Sequence, residues 1–248
     1  MKIKNLIFEE EVVSPEAQPN ASYAKFQGEN PLYGKYLFAP KRKDVPKEPN
    51  TPEEEELYHA FGKFIQANDA ERLESKIPQI MTVMANHDYQ PIMDPGHITV
   101  YRGISYLRKT LEELKQGSQF TLHTDSEGNK YYHVIKSGIL NPFTGRGSRL
   151  QSWSAKPKAA AKFAYDARKS LVRCPTVFVA NTEDGMFFGN PKTLTKTVYP
   201  AHSSEYETIS IGPVPFTELV YYEQNPDNKT KDNPEFVLKI ESILGGNK

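Results

Sequence analysis

Proline placement sets the strongest limit on where this chain can form regular structure. Seven of its 19 prolines lie within the first 52 residues. Because proline lacks a backbone N–H and fixes φ, such a segment is a poor candidate for a continuous helix or a central strand. We therefore predict an extended arm over residues 1–50 and a folded domain over residues 51–248. The arm is rich in aromatic and aliphatic side chains, which favours packing of part of it on the domain.

The balanced charge and the single cysteine limit what the chain is expected to bind and where it is expected to work. The chain has 248 residues with 31 basic and 31 acidic side chains, so its net charge gives no support for binding nucleic acid or an anionic membrane. Cys174 is the single cysteine, and no Cys/His spacing is typical of zinc. We expect no disulfide, no metal and a reducing compartment. No secretion signal and no membrane-spanning run is recognised, which predicts a soluble protein.

Two amphipathic helices are predicted at the start of the domain. Thr51, Pro52 and Glu54 match an N-cap, a proline in the first turn and a capping box. A second helix is predicted from about Asp69, with Pro78 at a kink or a restart. The apolar stripes of both helices are predicted to be core.

The rest of the domain is predicted to be rich in strands that form hairpins rather than regular βαβ units. Helices are expected over Ser105–Gln116, ended by Gly117, and after Pro157. Strands are expected at residues 97–103, 119–123, 130–135, 150–154, 176–180, 193–199, 205–211, 218–222 and 236–240. This order predicts an α+β fold, with a pair of mostly antiparallel sheets flanked by the N-terminal helices.

Three short polar motifs fall on predicted strands: Arg102 at the end of the first strand, Ser152 and Ser154, and Glu205 and Glu207. Side chains alternate along a strand, so the two serines are predicted to share one face, and so are the two glutamates. Taken singly, such an arginine suits an ion pair, such serines satisfy backbone groups, and Glu-x-Glu suits an exposed edge. Their order in one chain favours a common site.

The three motifs resemble the Arg, Ser-x-Ser and Glu-x-Glu motifs of mono-ADP-ribosyltransferases. That class includes arginine-modifying bacterial toxins and the Alt- and Mod-type enzymes of tailed phages. The resemblance covers roughly residues 51–225 and includes the Ala161–Ala164 stretch after Ser-x-Ser. Trp153 stands where many relatives have threonine, at a position expected to face away from the two serines. The resemblance implies the ADP-ribosyltransferase fold and transfer of ADP-ribose from NAD to an arginine of a target protein, with release of nicotinamide.

The resemblance also implies a role for each motif residue. Arg102, with Gly103 beside it, holds the pyrophosphate of NAD, and Ser152 orients Glu207. Glu207 binds a ribose hydroxyl and stabilises the oxocarbenium-like sugar. Glu205 orients the arginine acceptor, whose pKa is above ~12, and takes its proton. Glutamate at this position, where relatives that modify asparagine or cysteine tend to carry glutamine, points to arginine.

Other residues near the motifs receive minor assignments. Tyr199 is expected in the loop that receives the target, and His202 is given no role. Phe163 is expected in the core rather than against the nicotinamide. The candidates for a second phosphate contact, each better suited to a surface role, are Arg146, Arg149, Arg168 and Arg173.

Two other functions remain open. An NAD glycohydrolase would use water as the acceptor and depend less on Glu205. A non-catalytic binding protein or virion protein would keep the fold, bind no NAD and dock through residues 1–50. Among the classes named by the resemblance, a phage enzyme that acts in the cytoplasm of a bacterial host or is packaged in the virion fits the chain length and the unrecognised secretion signal. Its partner is then a host protein.

Overall fold

The computed structural model describes residues 52–67, 69–80, 94–141, 149–166, 172–192, 194, 204–223 and 234–245. The predicted arm lies outside these residues. The helices are α1 Pro52–Ala67, α2 Ala70–Glu74, α3 Arg108–Gln116, α4 Pro157–Asp166 and α5 Pro234–Gly245. The strands are β1 Thr99–Leu107, β2 Gln119–Thr124, β3 Lys130–Leu140, β4 Leu150–Ser154, β5 Arg173–Asn181, β6 Phe187–Phe188, β7 Glu207–Ile211 and β8 Val214–Glu223. None of the described helices is both long and apolar enough to cross a membrane.

The strands form one antiparallel sheet in the order β2-β3-β8-β5-β1-β4-β7-β6. β1 pairs with β5 along its whole length but meets β4 at one register position, Tyr101 opposite Ser154. This narrow junction divides the sheet into a five-strand part, from β2 to β1, and a three-strand part, from β4 to β6. The α+β class is confirmed, whereas the predicted pair of sheets is one continuous sheet in two parts.

The two parts of the sheet pack over a shared core. Trp153 and Phe187 from the three-strand part lie in one apolar cluster with Val100, Phe178 and Leu219 from the five-strand part. A second cluster joins α1 and α2 to β4, β6 and β7, and a third joins α4 and α5 to the five-strand part. The strands in the middle of the sheet are therefore covered by apolar groups on both faces.

The N-terminal helices begin where the sequence predicts. α1 starts at Pro52, although Thr51 of the proposed capping box lies outside the described residues. Asp69 caps α2 by accepting a hydrogen bond from the Arg72 N–H, at 3.3 Å. The helix stops at Glu74 and a helical turn follows at residues 77–80, which confirms a restart beside Pro78.

The first strand is longer than predicted. β1 continues through Leu107, so Arg102 lies in its middle rather than at its end. The predicted helix start at Ser105 is wrong, because the backbone pairing with β5 continues to the end of β1 and Tyr106 packs edge-on against Phe178, with ring centroids 5.3 Å apart. α3 begins at Arg108 and has Gly117 as its C-cap, as predicted.

The predicted strand at residues 236–240 is wrong, since this segment belongs to helix α5. Phe236 and Ile240 are four residues apart and fully buried, so they form one helical face against Tyr131 and Tyr222. Pro234 suits a first helical position. The predicted strands in β2, β3, β4, β5 and β8 are confirmed, and the one at residues 193–199 lies outside the described residues except for Leu194, which is helical.

Candidate active site

Three neighbouring strands bring the three sequence motifs together. β1 carries Arg102, β4 carries Ser152 and β7 begins with Glu207, and these strands are adjacent in the sheet. Antiparallel register places Ser154 opposite Glu207 and Ser152 opposite Ile209. Ser152 is 50 positions from Arg102 and 55 from Glu207 along the chain. The fold thus assembles a cation, a hydroxyl and a carboxylate at the junction of the two sheet parts.

Glu207 is a buried carboxylate with a hydroxyl donor. Its exposed fraction is 6%, and the Ser152 hydroxyl donates a hydrogen bond to its Oε1. A buried charge is tolerated only when it is hydrogen-bonded or paired, so this contact both stabilises the carboxylate and fixes its direction. Ser152 and Glu207 therefore behave as one unit.

The Arg102 side chain contacts the same unit at the backbone of Ser152. Its Nη1 donates to the carbonyl oxygen of Ser152 at 2.6 Å. Burial lowers the pKa of the Arg102 guanidinium to about 10, while the nearby Glu207 carboxylate acts in the opposite direction. Arg102 is thus a cation at neutral pH. A guanidinium has five N–H donors, so one bond to a carbonyl leaves capacity to bind phosphate oxygens.

The sequence predicted that both glutamates of Glu-x-Glu lie on one strand, and this prediction is wrong. β7 begins only at Glu207, and Tyr206 has a φ of 51°, in the left-handed region. Strand alternation therefore does not relate Glu205 to Glu207. The Ser154 hydroxyl donates to the backbone carbonyl of Glu205 at 2.5 Å, and Glu205 is half-buried where Glu207 is buried. The two carboxylates occupy different environments.

Sequence reasoning missed a contact between Lys156 and Tyr206. The Lys156 Nζ lies 4.1 Å from the centre of the Tyr206 ring, and the Ala155 N–H donates to the Tyr206 carbonyl at 2.9 Å. The available signals were a lysine two residues after Ser-x-Ser and a tyrosine between two acids. Neither signal shows that residues so far apart in the chain touch.

Trp153 confirms the expected orientation of Ser-x-Ser. It is 1% exposed within the shared core, and its Nε1–H donates to the Ser210 hydroxyl at 3.0 Å. The two flanking serines consequently point to the opposite face of β4, towards Glu207 and Glu205. The bulky ring anchors β4 to β7 directly behind the site.

Helix α4 packs closely against β1 beside the site. A Cβ built on Gly103 would lie 1.6 Å from the Ala160 carbonyl oxygen, so only glycine fits there. Ala160, Ala161 and Ala164 form the buried face of the helix. The prediction that Phe163 is core is wrong: its ring is 51% exposed, because it falls outside this alanine face.

The remaining assignments are only partly covered by the described residues. Arg173 donates from Nη1 to the Ser105 carbonyl at 2.9 Å, and the Arg149 backbone N–H donates to Glu74 Oε1 at 2.5 Å. Three other candidates, Arg146, Arg168 and Tyr199, lie outside the described residues, and so does His202, which was given no role. In the part of the chain that the structure describes, no group of three or more His, Cys, Asp or Glu side chains is placed to hold a metal ion.

The chain was compared with known proteins at the level of family, sequence and structure. It matches no protein-family model, no curated protein and no solved structure. The chemistry that the site can support therefore has to be inferred from its own residues.

Proposed function

We propose that the chain is a mono-ADP-ribosyltransferase that moves ADP-ribose from NAD to an arginine of a target protein. The observation that carries the proposal is the chain of contacts from the Arg102 guanidinium to the Ser152 carbonyl and from the Ser152 hydroxyl to the buried Glu207 carboxylate. This arrangement supplies a cation for a diphosphate beside an oriented carboxylate for a sugar cation.

The donor set fits NAD as a substrate. Arg102 offers a planar guanidinium that can bind the pyrophosphate by charge-assisted hydrogen bonds. Ser152 and Glu207 offer a hydroxyl and a carboxylate suited to a ribose. Gly103, the fourth residue proposed to contact NAD, faces α4 at its Cα and can contribute through its backbone. No metal is part of the proposal.

Glu207 is proposed to act when the bond between nicotinamide and ribose breaks. The electron pair of that bond leaves with nicotinamide, and positive charge develops on the ribose carbon and ring oxygen. A carboxylate held in a partly dry site stabilises this charge more strongly than one in water does. Because Ser152 fixes its direction, Glu207 needs little reorganisation as the charge appears.

Glu205 is proposed to serve the acceptor. An arginine side chain is protonated at neutral pH, so it must lose a proton as its nitrogen bonds to the ribose carbon. A half-buried carboxylate outside the strand can receive that proton while Glu207 remains with the sugar. The different settings of Glu205 and Glu207 suit these two tasks.

The test is transfer of labelled ADP-ribose from NAD to a bacterial lysate, because the proposed target is a protein of a bacterial host. Glu207→Gln is expected to lower nicotinamide release by about 10² to 10³-fold, the scale for losing a preorganised electrostatic contact. Ser152→Ala is expected to cost about 10 to 100-fold, the scale for a hydrogen bond to a charged group. Matched controls are Glu127→Gln in the β2–β3 turn and Ser242→Ala on α5, which should retain activity.

The outcomes separate the three functions. Labelled protein bands that require both Glu205 and Glu207, and that resist reagents cleaving ester-linked ADP-ribose, support arginine transfer. Nicotinamide release without labelled protein, surviving in Glu205→Gln, would identify a glycohydrolase. No NAD turnover by the wild type, and no rise in its melting temperature with NAD, would leave the binding-protein function standing.

A further inference from the structure

The turn between Glu205 and Glu207 has an unusual backbone conformation. Tyr206 is the one residue other than glycine with positive φ in the part of the chain that the structure describes. A bulky aromatic residue reaches this region against steric cost, and such a conformation persists only where neighbouring groups hold it. The turn matters because it sets the direction of Glu205 relative to Glu207.

The neighbouring groups come from the junction of β4 and α4. The Ser154 hydroxyl donates to the Glu205 carbonyl at 2.5 Å and accepts from the Lys156 N–H at 3.0 Å. The Ala155 N–H donates to the Tyr206 carbonyl at 2.9 Å. Three consecutive residues, 154–156, thus contact both residues that precede Glu207.

Lys156 makes a contact that requires an aromatic side chain at position 206. Its Nζ lies 4.1 Å from the centre of the Tyr206 ring, within the range of a cation–π attraction. The backbone bonds of Ser154 and Ala155 can form with many residues at position 206, whereas the attraction of Lys156 requires an aromatic ring. The lysine therefore adds a side-chain restraint to the backbone bonds that hold the turn.

We propose that Lys156 is a positioning residue that holds Tyr206 in its left-handed turn and thereby directs Glu205 at the acceptor. The direction of Glu205 in turn sets the ratio of arginine transfer to NAD hydrolysis. This inference rests on the proposed function. In both reactions the bond from ribose to nicotinamide breaks and its electron pair leaves with nicotinamide. In transfer, an arginine nitrogen bonds to the ribose carbon and its proton passes to Glu205. In hydrolysis, a water oxygen forms that bond and its proton passes to solvent.

The test compares Lys156→Met, which removes the charge and keeps the stem, with Lys156→Arg, which keeps a cation for the ring. NAD is supplied with agmatine, a small guanidine, and both ADP-ribosyl-agmatine and free ADP-ribose are measured. Lys156→Met is expected to lower the ratio of the two products by about two- to fivefold, the scale of one cation–π contact at an exposed lysine, and Lys156→Arg to restore most of it. Lys158→Ala, at an exposed lysine in the first turn of α4, is the matched control and should leave the ratio unchanged.

A second background tests whether Lys156 acts through Tyr206. In Tyr206→Gly the residue adopts positive φ unaided and has no ring, so adding Lys156→Met is expected to change the ratio no further. An equal fall in both backgrounds would overturn the proposal, because Lys156 would then act by another route. An unchanged ratio in Lys156→Met alone would overturn it too.

A measurement without NAD separates this inference from the proposed function. In protein labelled with ¹³Cε-lysine, the ring current of Tyr206 is expected to move one lysine signal upfield, and that signal should vanish in Lys156→Arg and in Tyr206→Gly. Absence of the shifted signal in the wild type would overturn the contact, whatever the activity. Presence of the signal in a wild type that turns over no NAD would overturn the proposed function, and with it the role of Lys156, while the contact itself stands.

Discussion

A buried carboxylate needs a donor, and at the residue scale Ser152 meets that need for Glu207. The serine also offers its carbonyl to Arg102, so one residue connects a cation and an anion that do not share a strand. Losing either end would leave a charged group with fewer partners in a partly dry site, which is costly. Single substitutions that remove a charge or a hydrogen-bonding group are therefore expected to disturb the site even when they preserve side-chain volume.

Gly103→Ala is expected to destabilise the fold by about 3 kcal/mol or more, the upper end for overpacking. The added methyl would meet the backbone oxygen of Ala160 at 1.6 Å, and backbone cannot rotate away as a side chain can. Urea unfolding measures the effect. Gly245→Ala is the matched control, because a Cβ there has nothing within 4 Å. Equal stability changes in the two variants would contradict this account of α4 packing.

Phe163→Ala is expected to change the free energy of unfolding by no more than about 0.5 kcal/mol, as for other exposed positions. Phe178→Ala, at a ring that is 1% exposed, should cost about 3–5 kcal/mol and serves as the contrast. Urea unfolding measures both changes. A loss of stability in Phe163→Ala as large as that in Phe178→Ala would contradict the exposed position of the Phe163 ring.

At the scale of elements, α5 shows how an ambiguous apolar pattern is decided. Phe236, Leu238 and Ile240 alternate as in a strand, yet Phe236 and Ile240 are also four residues apart, as on one side of a helix. The structure buries Phe236 and Ile240 fully and leaves Leu238 59% exposed. Alternation would place all three on one face, so the burial pattern is that of a helix.

Lysine substitutions test the α5 pattern. Leu238→Lys is expected to change stability little, because an exposed helical position favours a long polar side chain. Ile240→Lys should unfold the protein or strongly destabilise it, because an unpaired charge would enter the cluster around Tyr131 and Phe236. The midpoint of thermal unfolding distinguishes the two variants. Similar losses in both would indicate that positions 238 and 240 share a buried face.

At the scale of the whole molecule, a hydrogen-bonded polar turn closes the β2–β3 hairpin at one edge of the sheet. Asp125 accepts hydrogen bonds from the backbone and side chain of Asn129, both at 2.9 Å, and from the Tyr131 hydroxyl at 3.1 Å. Burial alone would raise the pKa of Asp125, but these hydrogen bonds, with one from the Glu127 N–H, outweigh it and lower the pKa. The stability of the β2–β3 hairpin therefore depends on pH.

The lowered pKa of Asp125 predicts how the stability of the protein changes in acid. Because the folded pKa of Asp125 is lowered, its contribution is complete above the unfolded pKa of about 3.9 and is lost as pH falls through the folded value. Asp125→Asn should be less stable than the wild type at pH 7, and the difference should shrink below about pH 4. Urea unfolding at pH 7, 4 and 3 measures this. A difference that stays constant over the whole range would contradict it.

Local chemistry allowed several elements and the site residues to be predicted. Pro52 at the start of α1, Asp69 at the cap of α2 and Gly117 at the C-cap of α3 depend on near neighbours in the chain. The motif residues Arg102, Ser152 and Glu207 were found by residue type, order and strand context. Their hydrogen bonds followed once strands β1, β4 and β7 were neighbours.

The sequence by itself thus determined the α+β class and most strand positions, and it suggested which residues form the candidate site. Only the tertiary structure decided that β1 runs on to Leu107, that residues 236–240 are helical, that Phe163 is exposed and that Lys156 lies on Tyr206. The physical reason is the range of the interactions. Caps, turns and alternation act within a few residues, whereas burial and ring contacts depend on partners brought together from far along the chain by strand pairing.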